Sequence, residues 1–355
     1  MLSPPPLPRT LEASLRDLSS RKAEARASAI VDLVPHARRD DGVRAQAIPR
    51  LVRALSDDVP VVRAAAAVAL GDLAASEALA PLLVAIEDGD GYVRQMAINA
   101  LGEIGDGRAA PRLARALADD RPEVRYQAVI AFSRVAKGDA DVAGALERAF
   151  GDPDDSVRYI ALRTAEERAD GGTSDPRLVA RAKDLVSDPV RHVALAAAIF
   201  LAKAGESEGR ALILEVVSGV GPRLKGPARE DENEAVLLAG RLEMKEAVVF
   251  LERRAWGLGR FVTDTCGWSA KTALASMGHA RAIAEITRDL GSDRRQTVEA
   301  AVVAAGRARM RGAEEAIRAL GPDRADPALV LQALSFLASP GRPSGEGVGR
   351  ARSGG

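Results

Sequence analysis

One phrase recurs between Asp57 and Ala161: an Asp, four variable residues, Val-Arg, two variable residues, Ala. The copies are Asp57…Val62-Arg63…Ala66, Asp88…Val93-Arg94…Ala97, Asp119…Val124-Arg125…Ala128 and Asp152…Val157-Arg158…Ala161, their arginines 31, 31 and 33 residues apart. A fifth, weaker copy reads Val190-Arg191…Ala194, with its acid displaced to Asp188. Self-similarity at a fixed period of this length marks a solenoid, because each unit buries its apolar face only when a neighbour stacks on it.

Each Val-Arg leads a run rich in Ala, Leu and Ile, such as Ala64 to Leu73 or Gln95 to Ile104. These runs are too long for strands and predict helices. Val62, Ala66, Leu70 and Leu73 share one helical face, as do Val93, Ala97, Leu101 and Ile104. The Ala three places after each Arg lets a neighbouring helix come close, and a larger side chain there would overpack. A second helix precedes each phrase, with Ile48-Pro49-Arg50-Leu51, Ala80-Pro81-Leu82-Leu83 and Ala110-Pro111-Arg112-Leu113 read as its first turns. Proline is tolerated there because that N–H has no intrahelical partner. Each repeat is thus a helix A, an Asp-rich turn and a helix B. The fold class is all-α, an α-solenoid (superhelix) of stacked antiparallel helix pairs with about eight to ten repeats.

The paired helices, the A-helix Pro, the turn Asp and the B-helix Val-Arg resemble HEAT repeats. The short period resembles the bacterial subtype also found in phycobilin-lyase-like proteins. The match is clear over about residues 44–205 and weak beyond. The resemblance implies an interaction surface with no shared chemistry, and B helices that line the concave side. It also implies that Asp57, Arg63, Asp88, Arg94, Asp119, Arg125, Asp152, Arg158 and Arg191 form a structural ladder, each Arg bridging turn acids and carbonyls of adjacent repeats, rather than a catalytic set.

The 50 basic and 50 acidic residues of the 355 cancel, which makes nucleic acid an improbable partner, since a binder carries a basic footprint. Aromatics are 3% and hydrophobics 47%, so the core must be mostly Ala, Leu and Val. The one cysteine, Cys266, allows no internal disulfide and fits a reducing compartment. No apolar signal region and no run of 18 apolar residues is present, so the expectation is a cytoplasmic location without a membrane span.

Residues 1–9 read as a Pro-rich arm and 10–205 as regular repeats behind an N-terminal cap. In that cap Ser20 is a candidate N-cap, and Arg26 with Ala29 is a degenerate phrase. His36 to Gly42 reads as a polar loop, and the fifth B helix as a turn longer than the others, from Val190 to Ala204. Residues 206–340 read as diverged repeats without the Val-Arg, with irregular loops at 219–232 and 255–268. Helices are expected there at Glu234–Leu242 with Lys245–Arg254, Ser269–Met277 with Arg281–Leu290, Gln296–Gly306 with Ala313–Leu320, and Ala328–Leu337. Residues 341–355 read as a disordered tail. The first loop is a surface loop or, alternatively, a ligand site. In the second, Phe250, Trp256, Phe261 and Trp268 fall within 19 residues, either filling a change in stacking or anchoring a partner through Trp256 and Phe261.

No chemistry-bearing motif stands out. His36, His192 and His279 lie far apart, no zinc spacing exists, and Cys266 has no His nearby in sequence. No catalytic residue, metal or cofactor is assigned, and the chain is not expected to be an enzyme. One pattern points outward instead. The residue after each Arg is Ala64, Gln95, Tyr126, Tyr159 or His192, about 200° from the Val stripe on a helix. Four places on come Val68, Asn99, Ile130, Arg163 and Ala196. Gln95, Asn99, Tyr126, Tyr159, Arg163 and His192 are therefore candidate contacts for another protein, the alternative being solvated or partly packed positions. The function expected is a protein–protein scaffold or adaptor. A lyase-like or chaperone-like helper acting on a partner protein, or a nucleic-acid-binding HEAT-like protein, are the alternatives.

Overall fold

The computed structural model describes residues 9–169, 174–220, 228–257 and 266–338. Among them are twenty α-helices and no strand. The chain divides into two units, Met1–Glu206 and Ser207–Gly355. Most of the expected Pro-rich arm, part of each irregular loop and the expected tail lie outside the described residues.

In the first unit six pairs follow one another: α1 (Leu11–Asp17) with α2 (Ala23–Arg39), α3 (Asp41–Ala54) with α4 (Pro60–Asp72), α5 (Leu79–Ala85) with α6 (Gly91–Ile104), α7 (Ala110–Ala116) with α8 (Pro122–Val135), α9 (Asp139–Ala149) with α10 (Asp155–Ala169), and α11 (Pro176–Leu185) with α12 (Arg191–Ala204). The second helices pack in sequence, α2 on α4, α4 on α6, and so on to α12. This is an α-solenoid, with one continuous core from Ile30 to Leu201.

The B helices start alike. Asp90 caps α6 by accepting the N–H groups of Tyr92 and Val93, and Pro60 and Pro122 open α4 and α8 at the position where a missing N–H costs nothing. Three residues after each cap stand Val62, Val93, Val124, Val157 and Val193, all essentially buried. Each such burial contributes roughly 1.5–3 kcal/mol. Seven after the cap stand Ala66, Ala97, Ala128, Ala161 and Ala197, also buried. The turns after α4, α6 and α12 each take a left-handed residue, whereas α2 and α8 end in extended backbone at Asp40 and Ala136. Gly105 (φ 72°) and Gly205 (φ 92°) supply the left-handed residue after α6 and α12, while Ala74 (φ 45°) takes the same turn at a steric cost of roughly 1–2 kcal/mol.

The second unit repeats the plan with α13 (Arg210–Ser218) and α14 (Ala228–Arg241), α15 (Val248–Trp256) and α16 (Gly267–Ser276), α17 (Ala280–Leu290) and α18 (Arg295–Arg307), and α19 (Glu314–Arg318) and α20 (Pro327–Ala338). Its B helices α14, α16, α18 and α20 form a second row. Neighbouring B helices meet through small residues in both units. A Cβ on Gly71 would come within 2.8 Å of Ala100 Cα, one on Gly240 within 2.5 Å of Ala273 Cα, and one on Gly306 within 2.7 Å of Ala333 Cα.

Several sequence expectations differ from the structure. His36 to Gly42 is no loop: α2 runs to Arg39 and α3 begins at Asp41, with Asp40 alone extended between them and capping Val43. Its basic residues suit a helix C-terminus, where they oppose the dipole. Ser20 does not cap α2, which starts after Lys22. Pro49 lies deep inside α3 rather than in a first turn, whereas Pro81 and Pro111 do sit near the start of α5 and α7. The α12 helix, at 14 residues, is no longer than α6 or α8. Glu230 and Asp231 are not loop residues but first-turn acids of α14, favoured there by the helix dipole. The expected pairing of Ser269–Met277 with Arg281–Leu290 is offset by one helix: α16 closes the pair begun by α15, and α17 opens the pair completed by α18.

Candidate functional site

The turns of the first unit are bound by arginines. Arg63 Nε and Nη2 donate to both carboxylate oxygens of Asp88 at 2.7 and 2.8 Å, and its Nη1 donates to the carbonyl of Asp57 at 2.9 Å. Arg94 does the same with Asp119 and the Asp88 carbonyl, Arg125 with Asp152 and the Asp119 carbonyl, and Arg158 with Asp188 and the Asp152 carbonyl. Arg26 adds a first rung, to Asp57 and Asp58. Each guanidinium therefore ties its own turn's backbone to the next turn's acid. Each acid also caps its own turn, Asp88 through the Asp90 N–H and Asp188 through the Val190 N–H. The hydrogen bond from Arg63 is the largest influence on Asp88, whose carboxyl sits below the usual range.

Arg191 stands elsewhere. It is the first residue of α12, and the position four after the cap, which holds Arg63, Arg94, Arg125 and Arg158 in their helices, is Ala194. The true fifth copy is Asp188…Val193-Ala194…Ala197, so the turn before α12 offers Asp188 to the ladder and α12 itself has no arginine at the matching place.

With its turns fixed, the B row presents a face that neither the A helices nor neighbouring B helices fully cover. Gln95 and Asn99 lie one turn apart on α6, Tyr126 on α8, and Tyr159 and Arg163 one turn apart on α10, all half-buried. Asn99 Oδ1 accepts from Gln127 Nε2 at 2.9 Å, joining α6 to α8. Tyr126 is half-buried, and that burial pushes its phenol above the ordinary value. The Tyr159 ring meets the His192 ring edge-on, centroids 5.3 Å apart, and His192 Nε2 lies 3.3 Å from Asp155 Oδ2. His192 is thus brought to Tyr159, although it sits one turn before the position that matches Tyr159. Leu195, at the matching position, is buried. Arg163 pairs with the buried Glu166, which also accepts from Lys203.

Sequence reasoning missed Met96, Gln127 and Ile160, half-buried members of the same face. The signal was available: they are the second residue after Arg94, Arg125 and Arg158, adjacent to the stripe already marked. A Glu103–Arg134 ion pair at 2.5 Å borders the face at its far end. Its middle is amide, phenol and aliphatic carbon, with Arg163 as the charge there.

The other two candidates belong to the second unit. Trp256 closes α15 and is held by α17: its Nε1 donates to Glu285 Oε2 at 2.9 Å, and the Arg281 guanidinium lies 4.1 Å from its ring centroid. Burial alone would raise the Glu285 carboxyl, but hydrogen bonds from Trp256, Lys271 and Arg281 outweigh it and hold it down at about 2. Phe261 lies outside the described residues. Cys266 is buried just before α16. Among the described residues no cluster of His, Cys, Asp and Glu is arranged to hold a metal ion, and no helix is long and apolar enough to cross a membrane.

The family description "HEAT repeats" matches residues 79–166, and "HEAT repeat" matches residues 47–76. This stretch is built of HEAT repeats. Three of its four Arg-to-next-turn rungs, from Arg63, Arg94 and Arg125, lie wholly within it. Among solved structures the chain is similar to YibA of E. coli, at 17% identity over 75% of this chain and 92% of that one, with a TM-score of 0.54. That likeness shows the fold alone. Looser likenesses are to the complex of CpcE and CpcF of phycocyanin lyase from Nostoc sp. PCC7120 (18% identity, 71% and 96% covered, TM-score 0.43) and to a designed armadillo repeat protein in complex with peptide (KR)4 (20%, 55% and 100%, 0.41). Neither bears on what these HEAT repeats do. No curated protein matches the chain.

Proposed function

We propose that the first unit is a non-catalytic scaffold whose B-helix face, from α6 to α10, docks a segment of a partner protein in the cytoplasm. The observation that carries this is the half-buried band of Gln95, Asn99, Tyr126, Gln127 and Tyr159, continuous across three helices and joined by the Asn99–Gln127 hydrogen bond. A face of this kind pairs rigid aromatic anchors with amides that satisfy a partner's backbone. Tyrosine is enriched among residues that dominate binding energy. The ladder makes the face stiff, so less ordering entropy opposes docking.

The test is affinity capture from the native cell with the full chain and with a Tyr126→Ala/Tyr159→Ala double variant. The account expects a partner whose affinity falls roughly 30-fold or more in the double variant, the loss typical of truncating a hot spot. Circular dichroism of the variant should match the parent. Equal capture by a fully helical double variant would refute the assignment of this face.

A further inference from the structure

The second unit has an open groove of about 300 Å³ on its own B row, lined by Leu237 of α14, Trp268 and Thr272 of α16, Ala300 and Val303 of α18, and Leu329 of α20. The two hydroxyls of its floor are already committed. Thr272 Oγ1 donates to the Trp268 carbonyl at 2.8 Å, and Ser269 Oγ donates to Asn233 Oδ1 at 3.1 Å. The floor therefore offers an occupant apolar contact. The α20 helix carries no charged residue from Pro327 to Ala338, and leaves Leu331 68% exposed.

The two ends of the groove differ in charge. At one end Glu299 is neutralised, accepting from Arg295 Nε at 2.9 Å and from the Asp326 N–H at 3.1 Å. Eight residues on, about 12 Å along the helix, Arg307 lines the other end. Arg309 follows in the turn after α18, and Arg311 opens the short 3-10 helix Arg311–Ala313 that leads into α19. The side chains of these three arginines make no hydrogen bond or ion pair among the described residues. Their charge opposes the α18 dipole, which accounts for cations at a helix C-terminus. It does not account for an apolar groove with a half-buried Trp beside them.

We infer that this groove docks a second kind of partner segment, an acidic apolar peptide, with a large apolar side chain against Trp268 and Val303 and carboxylates on Arg307 and Arg311. The volume lies at the lower limit of small-molecule pockets, roughly 300–1,000 Å³. It suits one aromatic or two aliphatic side chains of a peptide rather than a whole cofactor. Trp and Arg are the residue types that dominate interface energies, and a carboxylate on an open arginine gains a charge-assisted hydrogen bond. This inference does not depend on the face of the first unit.

Selection of phage-displayed random peptides on the full chain tests it. The immobilised chain carries Tyr126→Ala and Tyr159→Ala, so the first unit's face does not contribute. The expected result is enrichment of Leu, Phe or Trp beside Asp or Glu. A synthetic peptide of the enriched sequence, followed by fluorescence anisotropy, should lose roughly tenfold or more in affinity on Arg307→Glu/Arg311→Glu, and regain it when its acids become lysines. Both arginines are exposed and outside the core, so the variant keeps its fold, checked by circular dichroism. No enrichment, enrichment without acids, or an affinity indifferent to charge reversal would overturn the inference. So would binding to phosphatidylserine vesicles that the charge reversal abolishes while no peptide is enriched, since the surface would then be one for lipid.

Discussion

Gly240→Val destabilises the second unit by about 3 kcal/mol, the upper part of the usual range for overpacking, and lowers its melting midpoint by roughly 6–12 °C. The first atom of the new side chain would lie 2.5 Å from Ala273 Cα, 2.6 Å from the Ala273 carbonyl oxygen and 2.6 Å from Ser276 Oγ. Two of these are backbone atoms of a packed helix, so relief requires α14 and α16 to separate. Separation opens the seam between them, where the buried Val236 lies one turn before Gly240 and the buried Ala270 one turn before Ala273. Scanning calorimetry reads the shift directly. A midpoint unchanged by the valine would mean that the two helices are not in contact there.

Arg94→Ala costs the first unit roughly 1–3 kcal/mol, the loss expected when hydrogen-bond partners are left unsatisfied. The truncation removes two donors from Asp119 and one from the Asp88 carbonyl, leaving Asp119 with the Arg121 N–H. The Arg94 and Asp119 side chains are each only 13% exposed, so water replaces little of what is lost. The further contact to Asp120, which is 82% exposed, contributes little. Exposed pairs set the control: Arg112→Ala, which breaks only the ion pair with Glu87, should stay within roughly 0.5 kcal/mol.

The effect has a pH signature. Burial would raise the Asp119 carboxyl, but Arg94 and the Arg121 amide outweigh it and hold it below its ordinary value. A carboxyl depressed in the folded state contributes stability that is present above its unfolded pKa, about 3.9, and is lost as pH falls through the lower folded value. The gap between parent and Arg94→Ala in urea denaturation should thus be full at neutral pH and shrink below about pH 4. A gap that stays constant into acid would detach the penalty from the carboxylate.

The ladder was legible because two constraints fall on adjacent residues. Val three places after the cap must be buried and Arg four after must reach the next turn, so the dipeptide survives as a visible phrase. The same dipeptide misled at Val190-Arg191, which imitates the phrase one turn early. Burial of Val193, not identity of letters, sets the register there. Polarity also misled over His36 to Gly42, because a helix that ends in His, Arg and Arg is as hydrophilic as a loop, and a single extended Asp40 separates it from the next. The outward stripe was readable from helical geometry on each helix alone. The Asn99–Gln127 bond was not, since it depends on how two parallel helices are offset, and neither were the partners of Trp256, 29 residues away on α17.

Photocrosslinking compares the two sides of the first unit most directly. A benzophenone amino acid is placed at Ser156, exposed on the B-helix face beside Tyr159, or at Val84, 73% exposed on α5. Irradiation of the full chain with its captured partner should yield a crosslinked partner from position 156 and none from position 84. A partner that crosslinks from position 84 and not from 156 would show that the grip is on the A helices, and would contradict the account.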